Sequence, residues 1–198
     1  MMTAGDPRGI GAHQPTDEAP GPAAAIVADG SCDVDELLAR VVRRQRDAGR
    51  RLCGLLMAPR GPSADCATQM LLTDLATGES YLVSQPRAAA SSGCRADPHG
   101  FARASRVLRR ALEEAPELVV INRFGGLEAV GQGFRAELLE LMSCGLPLLT
   151  AVVPKHLAAW REFAGSAVEL PPELSAIEAW IDSVAGAGMA AASGRASA

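Results

Sequence analysis

The sequence has little lysine and few aromatic residues, and both shortages narrow the range of partners. Only one of its 19 basic residues is a lysine, Lys155, and aromatic residues make up 4% of the 198 positions. The basic residues are outnumbered by 23 acidic ones, which gives a net charge of −4. Nucleic-acid recognition needs a concentrated basic surface, and no segment of this chain supplies one. We therefore expect no nucleic-acid partner.

Paired cysteines and long apolar runs are also missing. The five cysteines are odd in number and contain no C-x-x-C pair, which argues against a disulfide framework and a zinc ribbon. No apolar run reaches the roughly 20 residues of a membrane-spanning helix. The first residues are rich in glycine and proline and lack the apolar stretch of a secretory signal. We therefore expect reduced thiols, no membrane insertion and a cytoplasmic location.

The length and composition predict one folded domain between two tails. A chain of 198 residues corresponds to about one domain. Residues 1–22 and 186–198 are dominated by small residues, whose burial cannot offset the entropy lost on ordering. We predict a disordered N-terminal tail over 1–22, a single domain over 23–185 and a disordered C-terminal tail over 186–198.

Within this domain, apolar runs alternate with helical stripes. Short apolar runs predict buried strands at 23–28, 52–57, 118–121, 148–153 and 168–170. Helical spacing predicts helices that begin near residues 33, 98, 134, 157 and 173, the last ending near 184. Residues 68–84 alternate around a Thr-Gly turn, which is typical of a β-hairpin. The expected fold is α/β, a three-layer, mostly parallel sheet with helices on both faces and a β-hairpin appendage.

Ligands of such folds bind outside the carboxyl ends of the strands, where segments 29–33, 59–66, 122–128 and 154–156 should converge. The first segment is a turn that opens onto a helix, where free backbone N–H groups favour an anion. Its candidate ligand-binding residues are Asp29, Gly30, Ser31 and Cys32. A P-loop would need G-x-x-x-x-G-K-[ST], and this turn has one glycine and no lysine. A plain strand-to-helix turn is the alternative.

The second segment follows an apolar strand and carries polar residues. Asn122 stands where P-loop enzymes place a magnesium-binding aspartate, and an amide is a poorer Mg²⁺ ligand than a carboxylate. Arg123 is a candidate anion partner, Glu128 a candidate catalytic base, and Gly125 part of the turn between them. The alternative is a simple turn with solvated charges.

Two further groups of residues are candidates. Lys155 and His156 follow another strand and could contact an anion, or else they flank a solvated helix start. Cys66 and Cys94 lie on either side of the hairpin, and with His99 they form a candidate soft-ligand metal site. The spacing matches no standard zinc signature, so small buried thiols are the alternative. Cys53 and Cys144 are expected to fill the core.

A family resemblance appears over most of residues 24–180. The run VVINRFGGLEAVGQGFRAELLELMSCGLPLLTAVVPKHLAAWREFAG, together with LLTDLATGESYLVSQ and GCRADP, resembles the bacterial domain-of-unknown-function 2478 family. That family is similar in layout to small P-loop nucleoside-triphosphatases, which carry a DE-x-G-x-x-E segment. The resemblance places Asn122 and Arg123 at the acidic pair, Gly125 at the glycine and Glu128 at the later glutamate. It also implies a P-loop NTPase-like fold and an accessory role in molybdenum metabolism.

These observations support three functional hypotheses. The first is a binding protein that has lost phosphate cleavage and takes a small anionic ligand, either molybdate or a nucleotide-type molybdenum cofactor, with a protein partner in molybdenum handling. The second is a divergent nucleoside-triphosphatase or nucleotide-dependent transferase that uses Glu128 as a base. The third is a protein-interaction module in which the hairpin of residues 68–84 docks a partner.

Overall fold

A computed structural model describes residues 22–58, 70–86 and 94–195. The strands are β1 (Ala23–Val27), β2 (Leu52–Met57), β3 (Leu71–Asp74), β4 (Ser80–Leu82), β5 (Ser84–Pro86), β6 (Cys94–Ala96), β7 (Leu118–Ile121), β8 (Leu148–Val152) and β9 (Val168–Leu170). The helices are α1 (Val34–Asp47), α2 (Pro98–Glu114), α3 (Gly126–Ala129), α4 (Arg135–Ser143), α5 (Leu157–Ala164) and α6 (Leu174–Arg195). A 3₁₀ turn, Pro154–His156, precedes α5.

The main sheet has seven strands in the order β4-β3-β2-β7-β8-β1-β9. The five strands from β2 to β9 in this order are parallel, whereas β3 pairs antiparallel with β2 and β4 pairs antiparallel with β3. This confirms the mostly parallel α/β fold. The predicted hairpin is present as β3 and β4, and because β3 pairs with β2 it extends the main sheet. The small sheet of β5 and β6 was not predicted, since strands of three residues leave no periodic pattern.

Helices cover both faces of the sheet, as predicted. On one face, the apolar stripe of α1 packs with α6 against alternate residues of the central strands. On the other face, α2, α4 and α5 pack against the intervening residues of the same strands. Trp180 lies in the first layer and Trp160 in the second, each at most 5% exposed. The result is a three-layer arrangement with a core on each side of the sheet.

Helix boundaries follow their capping signals. The Asp33 carboxylate accepts hydrogen bonds from the N–H groups of Asp35 and Glu36 at the start of α1, and Asp97 accepts one from His99 at the start of α2. The last helix extends to Arg195, beyond the predicted end near residue 184. Its final turns are rich in alanine, the strongest helix former. Among the described residues, no helix combines the length and apolar character needed to cross a membrane.

Candidate functional site

The loop after β1 and the segment after β7 meet at the carboxyl edge of the parallel strands. They enclose a surface crevice of about 510 Å³, which we call the first-loop crevice. It is bordered by the start of α1, the end of β2, Arg123 and Val153. Two of the four predicted segments, 29–33 and 122–128, therefore contribute to one crevice. A third, 154–156, begins directly after Val153, and segment 59–66 lies outside the described residues.

The first loop uses part of its hydrogen-bonding capacity internally. The Ser31 N–H donates to the Asp29 carboxylate over 2.9 Å, and hydrogen bonds from the Ser31 hydroxyl and N–H lower the pKa of Asp29 below its ordinary value. Asp33 caps the first turn of α1. Gly30 and Cys32 line the crevice. An incoming anion would therefore compete with carboxylates of the chain itself for some of these donors.

Arg123 crosses the crevice to the first turn of α1. Its Nη2 lies 2.7 Å from Oδ1 of Asp35, and the arginine side chain is 41% exposed. Asp33 and Glu36 border the same crevice, so its α1 side is acidic and Arg123 is the cation that faces it. An exposed ion pair of this kind contributes only about 0–1 kcal/mol to stability. Breaking the pair between Arg123 and Asp35 would therefore cost little folding free energy.

Asn122 is buried where β7 ends beside β2. Its side chain is 4% exposed, and its Oδ1 accepts a hydrogen bond from the Met57 N–H over 3.1 Å. Its Nδ2 has no hydrogen-bond partner within the described part of the chain. Asn122 thus joins two parallel strands through its oxygen and keeps an unused donor.

Glu128 anchors the loop that runs from β7 to α4. It is 5% exposed, its Oε2 accepts from the Gly125 N–H over 2.9 Å and its Oε1 from the Phe134 N–H over 3.1 Å. The backbone oxygen of Glu128 also accepts a hydrogen bond from Arg135. Sequence reasoning missed this role, although a glutamate three residues after a helix N-cap is the spacing of a capping box. Both carboxylate oxygens are therefore already committed to the backbone.

Replacing Glu128 by glutamine should destabilise the protein by about 1–3 kcal/mol, because the amide NH₂ would face one of the two backbone N–H donors and leave it unpaired. Urea unfolding measures this change. Glu140→Gln on the exposed face of α4 is the matched control and should change the unfolding free energy by less than about 0.5 kcal/mol. Equal stabilities of the two variants would contradict the anchoring role.

The other basic candidates lie apart from the crevice lining. Lys155 is exposed on the 3₁₀ turn, while His156 is half-buried. The His156 ring packs beside Gly126, where a Cβ would lie 3.6 Å from its Nε2. His156 therefore reaches the start of α3.

The structure describes only part of the predicted thiol site. Cys66 lies outside the described residues, only the backbone of Cys94 is described, in β6, and His99 is exposed at the start of α2. In the described ranges no cluster of three histidine, cysteine or acidic side chains could hold a metal ion. Cys53 is buried, as expected. The expectation for Cys144 was wrong: it is exposed, because it follows the last turn of α4 on the solvent side.

A second cavity, of about 150 Å³, lies beside Asn122, and we call it the Asn122 cavity. Its walls are mostly apolar side chains of β2, β3, β7 and α2 together with the loop around α3. Phe101 and Phe134 form one wall, with ring centroids 4.9 Å apart. Met57 and Arg123 border both this cavity and the first-loop crevice, so the two spaces are neighbours. This cavity could not be predicted from the sequence, since its walls come from five distant segments.

Comparison with known proteins places the chain in a family. The model of the family described as "Protein of unknown function (DUF2478)" matches residues 23–180, so the chain belongs to this family. The expected resemblance is thereby confirmed.

One curated relative is similar over most of the chain. The "Molybdenum import ATP-binding protein ModC 2" of Bradyrhizobium diazoefficiens is 35% identical over 162 residues, which are 81% of this chain and 18% of that protein. The chain thus spans less than a fifth of the relative's length. This similarity is consistent with a P-loop NTPase-like fold.

Proposed function

We propose that this member of the DUF2478 family is an accessory protein of molybdenum metabolism that binds a small anionic ligand without cleaving phosphate. The ligand is molybdate or a nucleotide-type molybdenum cofactor, held at the first-loop crevice. The observation that carries the proposal is that the crevice persists at the carboxyl edge of the sheet while the groups needed for hydrolysis are replaced or engaged.

The molybdenum link is supported by the similarity to the molybdenum import protein. The name of that relative also includes ATP binding, but the relative is more than five times longer than the part that matches this chain. The first loop of this chain has no lysine and only one glycine, whereas a phosphate-gripping loop depends on both residue types. We therefore propose a role in molybdenum metabolism for this chain, without ATP hydrolysis.

The enzymatic alternative has less support from the geometry. A general base needs a free oxygen within hydrogen-bond reach of the attacking water, and both oxygens of Glu128 already accept backbone N–H groups. Asn122 supplies an amide at the magnesium position, with its oxygen turned to Met57. We expect no magnesium-dependent phosphate release from ATP or GTP.

Arg123 is the cation that we expect to bind the anion, after it leaves Asp35. Molybdate or tungstate should therefore raise the thermal stability of the protein, and Arg123→Ala should abolish this stabilisation. Asp35→Asn should raise the apparent affinity for the anion several-fold, because it removes the carboxylate that competes for Arg123. A ligand at 100 times its dissociation constant stabilises the folded state by about 2.7 kcal/mol.

Sulfate at equal concentration controls for general anion effects, and Arg103→Ala, an exposed arginine of α2, is the matched control variant. Elemental analysis and native mass spectrometry of the purified protein provide a second measurement. Absence of stabilisation by molybdate, tungstate, ATP and GTP at millimolar concentration, with no bound molybdenum, would remove the proposal.

A further inference from the structure

The Asn122 cavity combines an apolar lining with one unused hydrogen-bond donor. The Met57 backbone N–H can only donate, so the side-chain oxygen of Asn122 must face it, as the 3.1 Å contact shows. The amide NH₂ is thereby fixed on the other side. Its Nδ2 is buried and finds no partner in the described ranges, and an unsatisfied buried donor is costly and rare in native proteins.

The other polar residues of the lining are already occupied. Glu128 is held by two backbone N–H groups, and Arg123 pairs with Asp35. A water molecule needs two to four polar partners to be held in a cavity, and the Asn122 amide is the buried side-chain group of this lining that lacks a partner among the described residues. The geometry therefore favours a ligand that is apolar over most of its surface and carries one acceptor.

The volume limits the size of that ligand. A cavity of about 150 Å³ holds a ring the size of benzene, and it is smaller than the roughly 300–1,000 Å³ of pockets that enclose whole drug-sized ligands. A planar ring fits between the Phe101 and Phe134 wall and the flexible side chains of Met57 and Met70, and methionines adapt well to ring faces. Met70 is 40% exposed, so the cavity borders solvent at this side chain.

We propose that the Asn122 cavity binds the uncharged planar ring of a nucleotide-type ligand, with Asn122 Nδ2 donating to a ring nitrogen or carbonyl oxygen. The inference rests on the proposed function, because the anionic end of the same ligand would occupy the neighbouring first-loop crevice near Arg123. Of the two ligands in the proposed function, the inference selects the nucleotide-type cofactor, which carries a heterocyclic ring, over molybdate alone.

Titration of the full chain with pyridine and benzene, followed by ligand-observed NMR, tests the ring subsite alone. The two probes match in size, and only pyridine has an acceptor. Asn122→Asp keeps the oxygen that faces Met57 and removes the donor, so pyridine affinity should fall about tenfold while benzene affinity changes less. Leu127→Trp, at the half-buried rim of the cavity, should abolish binding of both. Leu139→Trp, at a position that is 54% exposed on α4, should leave both unchanged.

Cytidine and cytidine 5′-monophosphate, whose base is a single six-membered ring, test the complete ligand by calorimetry. We expect Leu127→Trp to weaken both compounds at least tenfold and Arg123→Ala to weaken only the monophosphate. The ring assignment is overturned if neither ring probe binds, or if Leu127→Trp and Leu139→Trp bind cytidine equally well. If molybdate stabilised the protein while either of these two results was obtained, the ring assignment would be wrong but the proposed function would still be supported. Ring binding with no response to molybdenum compounds and no effect of Arg123→Ala would instead overturn the proposed function and keep the ring site.

Discussion

Gly54→Ala is expected to destabilise the protein by about 4 kcal/mol or more, from overpacking and backbone strain together. Gly54 pairs with Val120 between two central parallel strands. Its φ is +135°, and a Cβ at this position would lie 1.9 Å from the Val120 backbone oxygen. Gly54 and Val120 both lie in the middle of the sheet, so neither backbone can move without breaking the pairing of β2 with β7. A loss of this size is a large fraction of a typical folding free energy of 5–15 kcal/mol.

Urea unfolding followed by circular dichroism measures this effect, and Gly78→Ala separates its two causes. Gly78 also has a positive φ, +76°, but nothing lies within 4 Å of its Cβ position. Its replacement should therefore cost only the conformational strain, about 1–2 kcal/mol. If Gly54→Ala were no more destabilising than Gly78→Ala, this result would contradict the close approach of β2 to β7 at Gly54.

The elements that carry a strong local signal were the ones predictable from sequence. β1, β2, β7 and β8 are continuous apolar runs, and α1 and α2 combine an apolar stripe with an aspartate cap. Local signals fail where a contact depends on distant residues. The β5–β6 pair and the Asn122 cavity are both assembled from separated segments. Local reasoning gave no indication that these segments meet.

The candidate site shows the same limit in its chemistry. Sequence position identified Asn122, Arg123 and Glu128 as neighbours of a crevice, and the structure places Arg123 at that crevice and the other two beside the adjoining cavity. Their hydrogen-bond partners were not predictable, because the sequence does not distinguish a carboxylate that activates water from one that holds a loop in place. Glu128 accepts two backbone N–H groups and Arg123 is paired with Asp35. These hydrogen-bond partners, which residue types alone do not reveal, add support to the proposed binding role over the enzymatic alternative.

Asp74 connects the hairpin to α2, and Asp74→Ala should destabilise the protein by about 3–5 kcal/mol, the cost of removing one partner of a buried ion pair. Asp74 is 1% exposed. Its carboxylate oxygens accept from Arg110 over 2.8 and 2.9 Å, from the Thr77 hydroxyl over 2.7 Å and from the Ala76 N–H over 2.9 Å. Without the carboxylate, Arg110 stays partly buried without its counter-ion and the turn between β3 and β4 loses two of its hydrogen bonds.

The same residue should make stability depend on acid pH. Burial alone would raise the pKa of Asp74, but hydrogen bonds from Arg110, Thr77 and Ala76 outweigh burial, so the pKa is lowered in the folded state. A carboxyl group whose folded pKa is depressed binds fewer protons when folded. Its stabilising contribution is therefore complete above the unfolded pKa of about 3.9 and is lost as pH falls through the lower folded value.

Asp74→Asn tests this linkage, because it keeps one oxygen for the turn and removes the titrating charge. The free-energy difference between the unsubstituted protein and Asp74→Asn should be constant from pH 7 to about pH 5 and should shrink toward pH 2, as the native carboxylate becomes protonated. Asp182→Asn is the control, since the Asp182 side chain is 68% exposed in its pair with Arg50 and an exposed pair contributes little. A difference that stayed constant down to pH 2 would mean that the Asp74 charge does not stabilise the fold, and that Arg110 is held by shape and packing instead.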